Sequence, residues 1–348
     1  MGARGRIAAA WVLLAGLLAP AASGQLVPQR EFCGIGRGVP IEVRMPAVEE
    51  PAAEFVGPIG PDVAKPAELV IEVIRAATGE VVDRSTAQAG EADLVKLFPR
   101  IWEAEDKRAM FAQLRIDGVR VGAPILLSPM FSPPPYAPRL DRAGFPMFPP
   151  PDASKGAPAF SGYRIATMRL LVLETSRGEL RFALRPDVAP NTVWYFSRLV
   201  EGGMYTDVEV HKIASLAAGS SPDFVQTGDP TGTGLGGAGF LFDLEDSTLR
   251  HEFGVISMAR ASDPNSASSQ FFISLGGAAA ATLDGKYAAF GQLVGGADVL
   301  RAIAASPVGP DNRPLVPPKI LSARLMDAPP LGDGPPPAKD PLGQRPER

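Results

Sequence analysis

Hydrophobic positions in this chain come mostly in short runs bounded by Gly, Pro, Asn, Asp or Ser, the pattern of strands joined by turns. Leu69-Val70-Ile71-Glu72-Val73-Ile74 is β-branched and predicts a strand, and Thr78-Gly79-Glu80-Val81-Val82 predicts a turn into a second one. Residues 114–121 predict a hairpin, because Asp117-Gly118 between two alternating runs favours a tight primed turn. Leu114, Ile116, Val119 and Val121 then share one face, with Arg115 and Arg120 on the other. These elements make 66–130 a small β-rich domain, sandwich-like, with Trp102 in a core or an interface. Residues 25–65, rich in Pro and Glu, read as an extended N-terminal segment with one or two strands.

A second set of elements begins near Met168. Strands over 169–175 and 179–184 flank the turn Ser176-Arg177-Gly178. Pro190-Asn191-Thr192 opens a helix that carries Val193, Phe196, Leu199 and Val200 at helical spacing, and Gly202-Gly203 closes it. Strands follow over 208–213, 224–227, 254–258, 270–274 and 288–294. A short helix from Ala297 then presents Val299, Leu300 and Ile303, and 319–325 is a closing strand. Many antiparallel strands with two helices predict a closed barrel. Between the two sets, 131–166 reads as a Pro-rich linker. Pro133-Pro134-Pro135-Tyr136 and the run from Phe145 to Pro151 favour polyproline II and are excluded from a sheet interior. The linker is apolar for a tether, so it either packs along a domain surface or is itself a proline-rich ligand. The Pro-rich, charged stretch 328–348 predicts disorder.

Composition adds three constraints. A length of 348 residues favours two folded units, and 45% hydrophobic with 21% charged residues is ordinary for a soluble globular protein. A net charge of −4 gives nucleic-acid binding no support. At the N-terminus, Arg4 and Arg6 precede the apolar stretch 7–19 and the small residues Ala22-Ser23-Gly24. That order predicts a cleaved signal peptide over 1–24, export to the periplasm or the extracellular space, and no membrane span afterwards. Cys33 is the single cysteine and is expected to be buried as a small apolar residue. The two histidines, His211 and His251, lack metal-site spacing, so no metal or other cofactor is expected.

The chemistry concentrates in Ser257-Met258-Ala259 and Ser269-Gln270-Phe271-Phe272-Ile273, two strands around a polar turn. A side-chain amide beside aromatic rings suits a pocket that takes a peptide carbonyl and an apolar ring. These segments resemble the signature strands of the cyclophilin-type peptidyl-prolyl isomerases. The resemblance extends over 167–327 through Ala189-Pro190-Asn191-Thr192-Val193, Val210-His211-Lys212-Ile213, Phe224-Val225-Gln226-Thr227-Gly228-Asp229, Leu283-Asp284-Gly285-Lys286 and Phe290-Gly291. It implies an eight-stranded antiparallel barrel capped by two helices, preceded here by the small β-rich domain. It also implies catalytic roles for Lys212, Gln226 and Gln270, and a substrate groove lined by Phe224, Val225, Ala259, Phe272, Thr282, Leu283 and Tyr287. The implied partners are proline-containing segments of exported proteins. Lys212 stands where the family has its catalytic arginine, Thr282 where many members have Trp, and Tyr287 where His is common. One residue is missing between Phe224 and Gln226, which in a strand flips the alternation, and residues 214–223 carry an insertion.

Isomerising an X–Pro bond, whose resonance barrier is ~20 kcal/mol, needs no nucleophile or metal. It needs the ring gripped and a donor aimed at the proline nitrogen of the twisted state. Lys is a flexible point charge where Arg is a rigid fork, which predicts attenuated catalysis. The competing expectation is a weakly catalytic module that binds proline segments, and a variant of it has the linker lying in the groove in cis. The run Gly232-Thr233-Gly234-Leu235-Gly236-Gly237-Ala238-Gly239 leads into a strand-like stretch, not a helix, so it does not predict a phosphate cradle. Asp263 and Asn265 suit turn hydrogen bonds, and Ser268 and Ser269 lack a His–Asp arrangement.

Overall fold

A computed structural model of the chain describes residues 24–46, 66–103, 108–131, 139–143, 145–147, 159–217 and 220–332. Residues 1–23, where a signal peptide is expected, both polyproline runs beyond Met147 and before Arg139, and the tail beyond Gly332 lie outside the described residues.

The N-terminal half packs two antiparallel sheets on one core. The first sheet holds β1 (Gln25–Pro28), β3 (Pro40–Arg44) and β6 (Gly90–Asp93) in the order β1-β3-β6. The second holds β2 (Phe32–Gly34), β4 (Leu69–Arg75), β5 (Val81–Thr86), β7 (Met110–Ile116), β8 (Val119–Phe131) and β11 (Phe160–Thr167), in the order β2-β11-β8-β7-β4-β5. Between them lie α1 (Leu94–Leu97) and a 3-10 turn over Pro99–Trp102. Leu26, Ile41 and Val43 of the first sheet meet Ile71, Leu114, Ile125 and Tyr163 of the second in one buried cluster. Trp102 stacks on Tyr163 at 5.4 Å, and Cys33 is buried in the same core, its thiol pushed up by desolvation. The predicted hairpin forms with Ile116 opposite Val119, and Asp117 and Gly118 take φ of 47° and 81°, the left-handed pair a primed turn requires.

Three expectations are corrected here. Residues 25–44 hold three strands where an extended segment with one or two was expected, because their apolar residues complete the sandwich core. The end of the Pro-rich linker is not a linker: 160–166 lies within β11, which pairs with both β8 and β2. A small hairpin, β9 (Arg139–Leu140) and β10 (Pro146–Met147), lies within the rest of it. Finally, Ala328–Gly332 is not disordered. Ala328 and Leu331 pack against Ile74, Phe111, Leu126 and Met168, Leu331 N donates to Gln113 Oε1, and Leu331 O accepts from Arg120.

The C-terminal half is a barrel. Its strands are β12 (Arg169–Thr175), β13 (Gly178–Leu184), β14 (Val208–Glu209), β15 (Lys212–Ala214), β16 (Phe224–Thr227), β17 (Val255–Met258), β18 (Phe271–Ser274), β19 (Ala289–Gly295) and β20 (Lys319–Asp327). They run β14-β20-β12-β13-β19-β17-β18-β16-β15. The two ends of this sheet, β14 and β15, are separated in sequence only by Val210 and His211, so the sheet closes on itself. The expected single strand over 208–213 is thus interrupted: β14 pairs with β20, and β15 with β16. Other partners satisfy the break, since Val210 N donates to Pro318 O and Thr227 Oγ1 donates to Glu209 O. With 208–214 counted once, the barrel has eight strands.

Two helices, α2 (Pro190–Glu201) and α3 (Ala297–Ala304), cap it. Phe196 of α2 packs on Tyr205, Phe271 and Phe290, while Leu300 and Ile303 of α3 enter the same core. Pro190 suits the first turn of α2, and Ala189 before it has no side chain to cap the helix. Glu245 does so instead, accepting from Asn191 N, Thr192 N and Thr192 Oγ1 at 2.8–3.0 Å.

Candidate active site

Strand alternation decides which side chains form the site. In β16, Val225 and Thr227 point into the barrel while Phe224 and Gln226 face outward. In β18, Phe271 and Ile273 join the barrel core, whereas Phe272 does not. Register places Lys212 opposite Gln226, and Gln226 opposite Phe272. One outer face of β15, β16 and β18 therefore collects Lys212, Phe224, Gln226 and Phe272. The spacing of two between Phe224 and Gln226 is what puts both on it. The insertion leaves this register intact, and its described ends are tied together by Asp223 N donating to Ala214 O and by Leu216 N donating to Asp223 Oδ2. Val225 does not join the site. It is 0% exposed within the barrel core, which corrects its expected place in the groove.

Phe272 is the centre of an aromatic cluster. Phe224 meets it edge-on at 5.7 Å and Tyr287 edge-on at 5.5 Å. The Lys212 ammonium lies 5.8 Å from the Phe224 ring and has no ion pair among the described residues. The Tyr287 ring is covered by the Arg260 guanidinium at 4.5 Å, and Arg260 also donates to Lys286 O. Ala259, half-buried at the end of β17, donates to Gln270 O at 2.9 Å. Leu283 is half-buried at the end of a 3-10 turn over Ala280–Leu283. Thr282 is exposed, and its hydroxyl is engaged by Ala279 O at 2.6 Å.

The two glutamines are oriented by a hydrogen-bond chain. Gln270 Nε2 donates to Gly234 O and Gly236 O, at 3.0 and 2.8 Å. Its Oε1 accepts from Gln226 Nε2 at 2.9 Å. Both amide hydrogens of Gln270 are thereby used, and Gln226 keeps one N–H and its carbonyl oxygen for a ligand. The loop that supplies those two carbonyls is organised by Asp229. Its buried carboxylate accepts from Thr231 N and Oγ1, Thr233 Oγ1, Gly234 N and Gly236 N. Burial alone would raise its pKa, and these donors bring it down to about 2. A Cβ on Gly236 would collide with that carboxylate, so this position requires glycine. The glycine-rich loop is thus a cradle already filled by the protein's own carboxylate, which is why it offers nothing to phosphate.

His211, next to Lys212, is buried beneath the same loop, and desolvation lowers its pKa. Sequence reasoning missed the supporting groups Asp229, Arg260, His251 and Asp284. Asp229 alone carried a local signal, since an aspartate followed by Thr and Gly at two-residue spacing suits a carboxylate that accepts from its own loop. The others act across strands far apart in sequence. A separate recess of about 530 Å³ lies in the N-terminal sandwich, and two of its three arginines, Arg75 and Arg100, face Glu80 and Glu103.

Comparison with known proteins bears on the barrel. The family model for cyclophilin type peptidyl-prolyl cis-trans isomerases matches residues 170–325. Peptidyl-prolyl cis-trans isomerase ppi1 of Schizosaccharomyces pombe is 38% identical over 157 residues, which cover 43% of this chain and 95% of that protein. Peptidyl-prolyl cis-trans isomerase-like 1 of Gibberella zeae is 39% identical over 163 residues, covering 45% of this chain and 94% of that protein. The sandwich over residues 25–167 lies outside the family match.

Proposed function

The chain belongs to the cyclophilin-type peptidyl-prolyl cis-trans isomerase family and is an isomerase of that type, and from that premise we propose that it acts on X–Pro bonds of exported proteins, with Lys212 as the donor cation and with attenuated turnover. The observation that carries this reading is the single outward face on which Lys212, Gln226 and Phe272 stand in register. Phe272, with Phe224 and Tyr287 edge-on, takes the proline ring against apolar surface. Gln226, its amide fixed by Gln270, holds the substrate backbone. Lys212 stabilises the proline nitrogen as its lone pair localises in the twisted amide. Lysine does this with one mobile ammonium in place of a planar fork, so turnover falls by ~10–100-fold, or ~1.4–2.7 kcal/mol of barrier, relative to an arginine-bearing site. Export rests on the basic, apolar and small-residue order of residues 1–24.

The test is cis/trans exchange of an Ala–Pro peptide, followed by NMR with the chain from Gln25 onward. Lys212→Ala abolishes the acceleration and keeps peptide affinity within about threefold, while Lys212→Arg raises the exchange rate at least several-fold. Equal acceleration by all three proteins would remove Lys212 from the mechanism. Binding with no acceleration in any of them would favour the recognition-module reading. One contact supports a further element of that second reading. The Phe145 ring, in the turn between β9 and β10, lies 3.8 Å from the Lys286 ammonium, next to Tyr287. If this hairpin competes for the groove, Phe145→Ser strengthens peptide binding.

A further inference from the structure

His251 is absent from the catalytic scheme, yet it touches the centre of the proline pocket. Its side chain is 0% exposed, and its ring lies parallel to Phe272, with centroids 5.6 Å apart and planes 13° apart. Phe224 and Tyr287 meet Phe272 edge-on, so His251 is the one stacked partner among the described residues. The ring is also anchored at its far end. Nδ1 lies 2.9 Å from Asp284 Oδ1, and the His251 backbone N donates to that same oxygen at 2.8 Å. The His251 carbonyl in turn accepts from Ser274 Oγ at 2.9 Å, at the end of β18. Asp284 directly follows Leu283 and begins the segment that leads to Tyr287. One imidazole thus joins the floor of the pocket, Phe272, to its lip, residues 283–287.

The chemistry of the ring suits a fixed joint. Asp284 Oδ1 accepts a hydrogen bond from Nδ1–H, which keeps the lone pair on Nε2. Nε2 is buried and has no hydrogen-bond partner among the described residues. Desolvation accordingly favours the neutral ring, and the pKa is lowered despite the neighbouring carboxylate. A neutral ring stacks on Phe272 without drawing charge into the apolar pocket.

We propose that His251 is a positioning residue for the isomerase site, which acts through Phe272 and through its bond to Asp284 to keep the pocket and its lip preformed for a proline ring. This rests on the isomerase reading of the same site. Preorganisation of this kind lowers the cost of binding without touching the reacting amide. Its loss therefore raises KM and leaves kcat unchanged, the opposite of losing Lys212.

The experiment uses the chain from Gln25 onward with His251→Phe, which keeps a flat ring against Phe272 and removes the Nδ1 bond to Asp284 while the backbone one stays. Asp284→Asn weakens the same bond from the other side, so the idea stays testable if one variant folds poorly. Two readouts are taken: KM and kcat for the Ala–Pro peptide, and hydrogen exchange of the 282–287 amides in the free protein. The expected result is a KM raised about 5–10-fold with kcat within about twofold, and faster exchange in the lip. Unchanged KM, or a fall in kcat at constant KM, would overturn the proposal. The exchange readout does not depend on activity. If the wild-type chain neither binds nor isomerises the peptide, the isomerase reading fails by itself, and unaltered lip exchange in both variants then overturns the positioning role as well.

Discussion

Each half of this molecule buries one carboxylate whose pKa is drawn down to about 2, and the two do so with different partners. In the sandwich, Glu72 of β4 is enclosed by Arg84, Arg115 and Arg120, with N···O distances of 2.8–2.9 Å. Burial works to raise its pKa, and the three guanidinium hydrogen bonds overcome that. In the barrel, Asp229 is held by backbone N–H groups and threonine hydroxyls of its own loop. The comparison shows what each arrangement is suited to. Side chains from three strands converge on Glu72 and fasten the strands to one another, and Arg120 extends the network to Leu331 of the returning C-terminal segment. Dipoles of one loop converge on Asp229 and fix that loop's carbonyls, which orient Gln270 and through it Gln226. The first device serves stability and the second serves the proposed binding face.

The largest expected effects separate the two devices. Asp229→Ala leaves several buried donors without an acceptor, at a cost of ~3 kcal/mol to the barrel. It also releases Gln270 and lowers isomerase activity by at least ~30-fold, or ~2 kcal/mol of barrier. Glu72→Gln strands partly buried guanidiniums and destabilises the sandwich by ~2–3 kcal/mol, discounted because Arg84 is 59% exposed. Activity should stay unchanged. Urea unfolding followed by NMR signals assigned to each half, together with peptide exchange rates, checks both. If Glu72→Gln cost as much activity as Asp229→Ala, the division of labour drawn above would be wrong.

A smaller effect concerns the returning C-terminal segment. Ending the chain at Asp327 uncovers Ile74, Phe111 and Leu126 and removes the Leu331 partners of Gln113 and Arg120. The sandwich should lose ~2 kcal/mol, seen as a lower urea midpoint for its signals, and the barrel should keep its own. Equal losses in both halves would show that the segment supports the barrel directly.

The smallest effect is a difference in pH response. Both histidines of the chain, His211 and His251, lie in the barrel, and burial lowers the pKa of each. Asp284 faces His251, while Asp229, Arg313 and Lys212 surround His211. The unfolded chain takes up these protons near pH ~6.5 and the folded barrel only below it. Barrel stability is therefore full above pH ~6.5 and declines as pH falls through the interval down to the lowered folded values. Glu72 carries the opposite charge type. The stability it contributes to the sandwich is complete above the unfolded value of ~4.3 and is lost as pH drops toward about 2. Thermal unfolding at pH 7.5 and 5.5 should move the barrel transition and leave the sandwich transition in place. A matching shift in both would count against the histidines as its source.

Much of this architecture was legible in the chain, for reasons that are local. The β-branched run 69–74 predicted a strand because such side chains fit a pleated sheet, and alternation over 114–121 predicted two more because side chains in a strand take opposite faces in turn. Asp117-Gly118 predicted its hairpin because few residue pairs tolerate two positive φ angles. Pro190 and Gly202-Gly203 bounded α2 because one lacks the N–H that the first turn does not need and the others end a helix without strain. Lys212, Gln226 and Phe272 come from a motif spread over three short strands whose register brings them together, and Gln270, just before β18, joins them through its bond with Gln226.

What the sequence by itself determined, then, is the 69–74 strand, the 114–121 hairpin, most strands and both helices of the barrel, and the residues of the motif, since each depends on neighbours a few positions away. Tertiary structure alone decided how those pieces share faces. The burial of Val225 follows from its side of β16, which is set by pairing with β18 and β15. The stack of His251 on Phe272 and the bond between His251 and Asp284 span 21 and 33 residues, and they exist because the sheet order places β17 beside β18. The recruitment of β11 into the sandwich and the return of Ala328–Leu331 onto it depend on apolar surface left uncovered by other strands. Burial of that surface is non-directional and carries no mark in the sequence of the segment that comes to cover it.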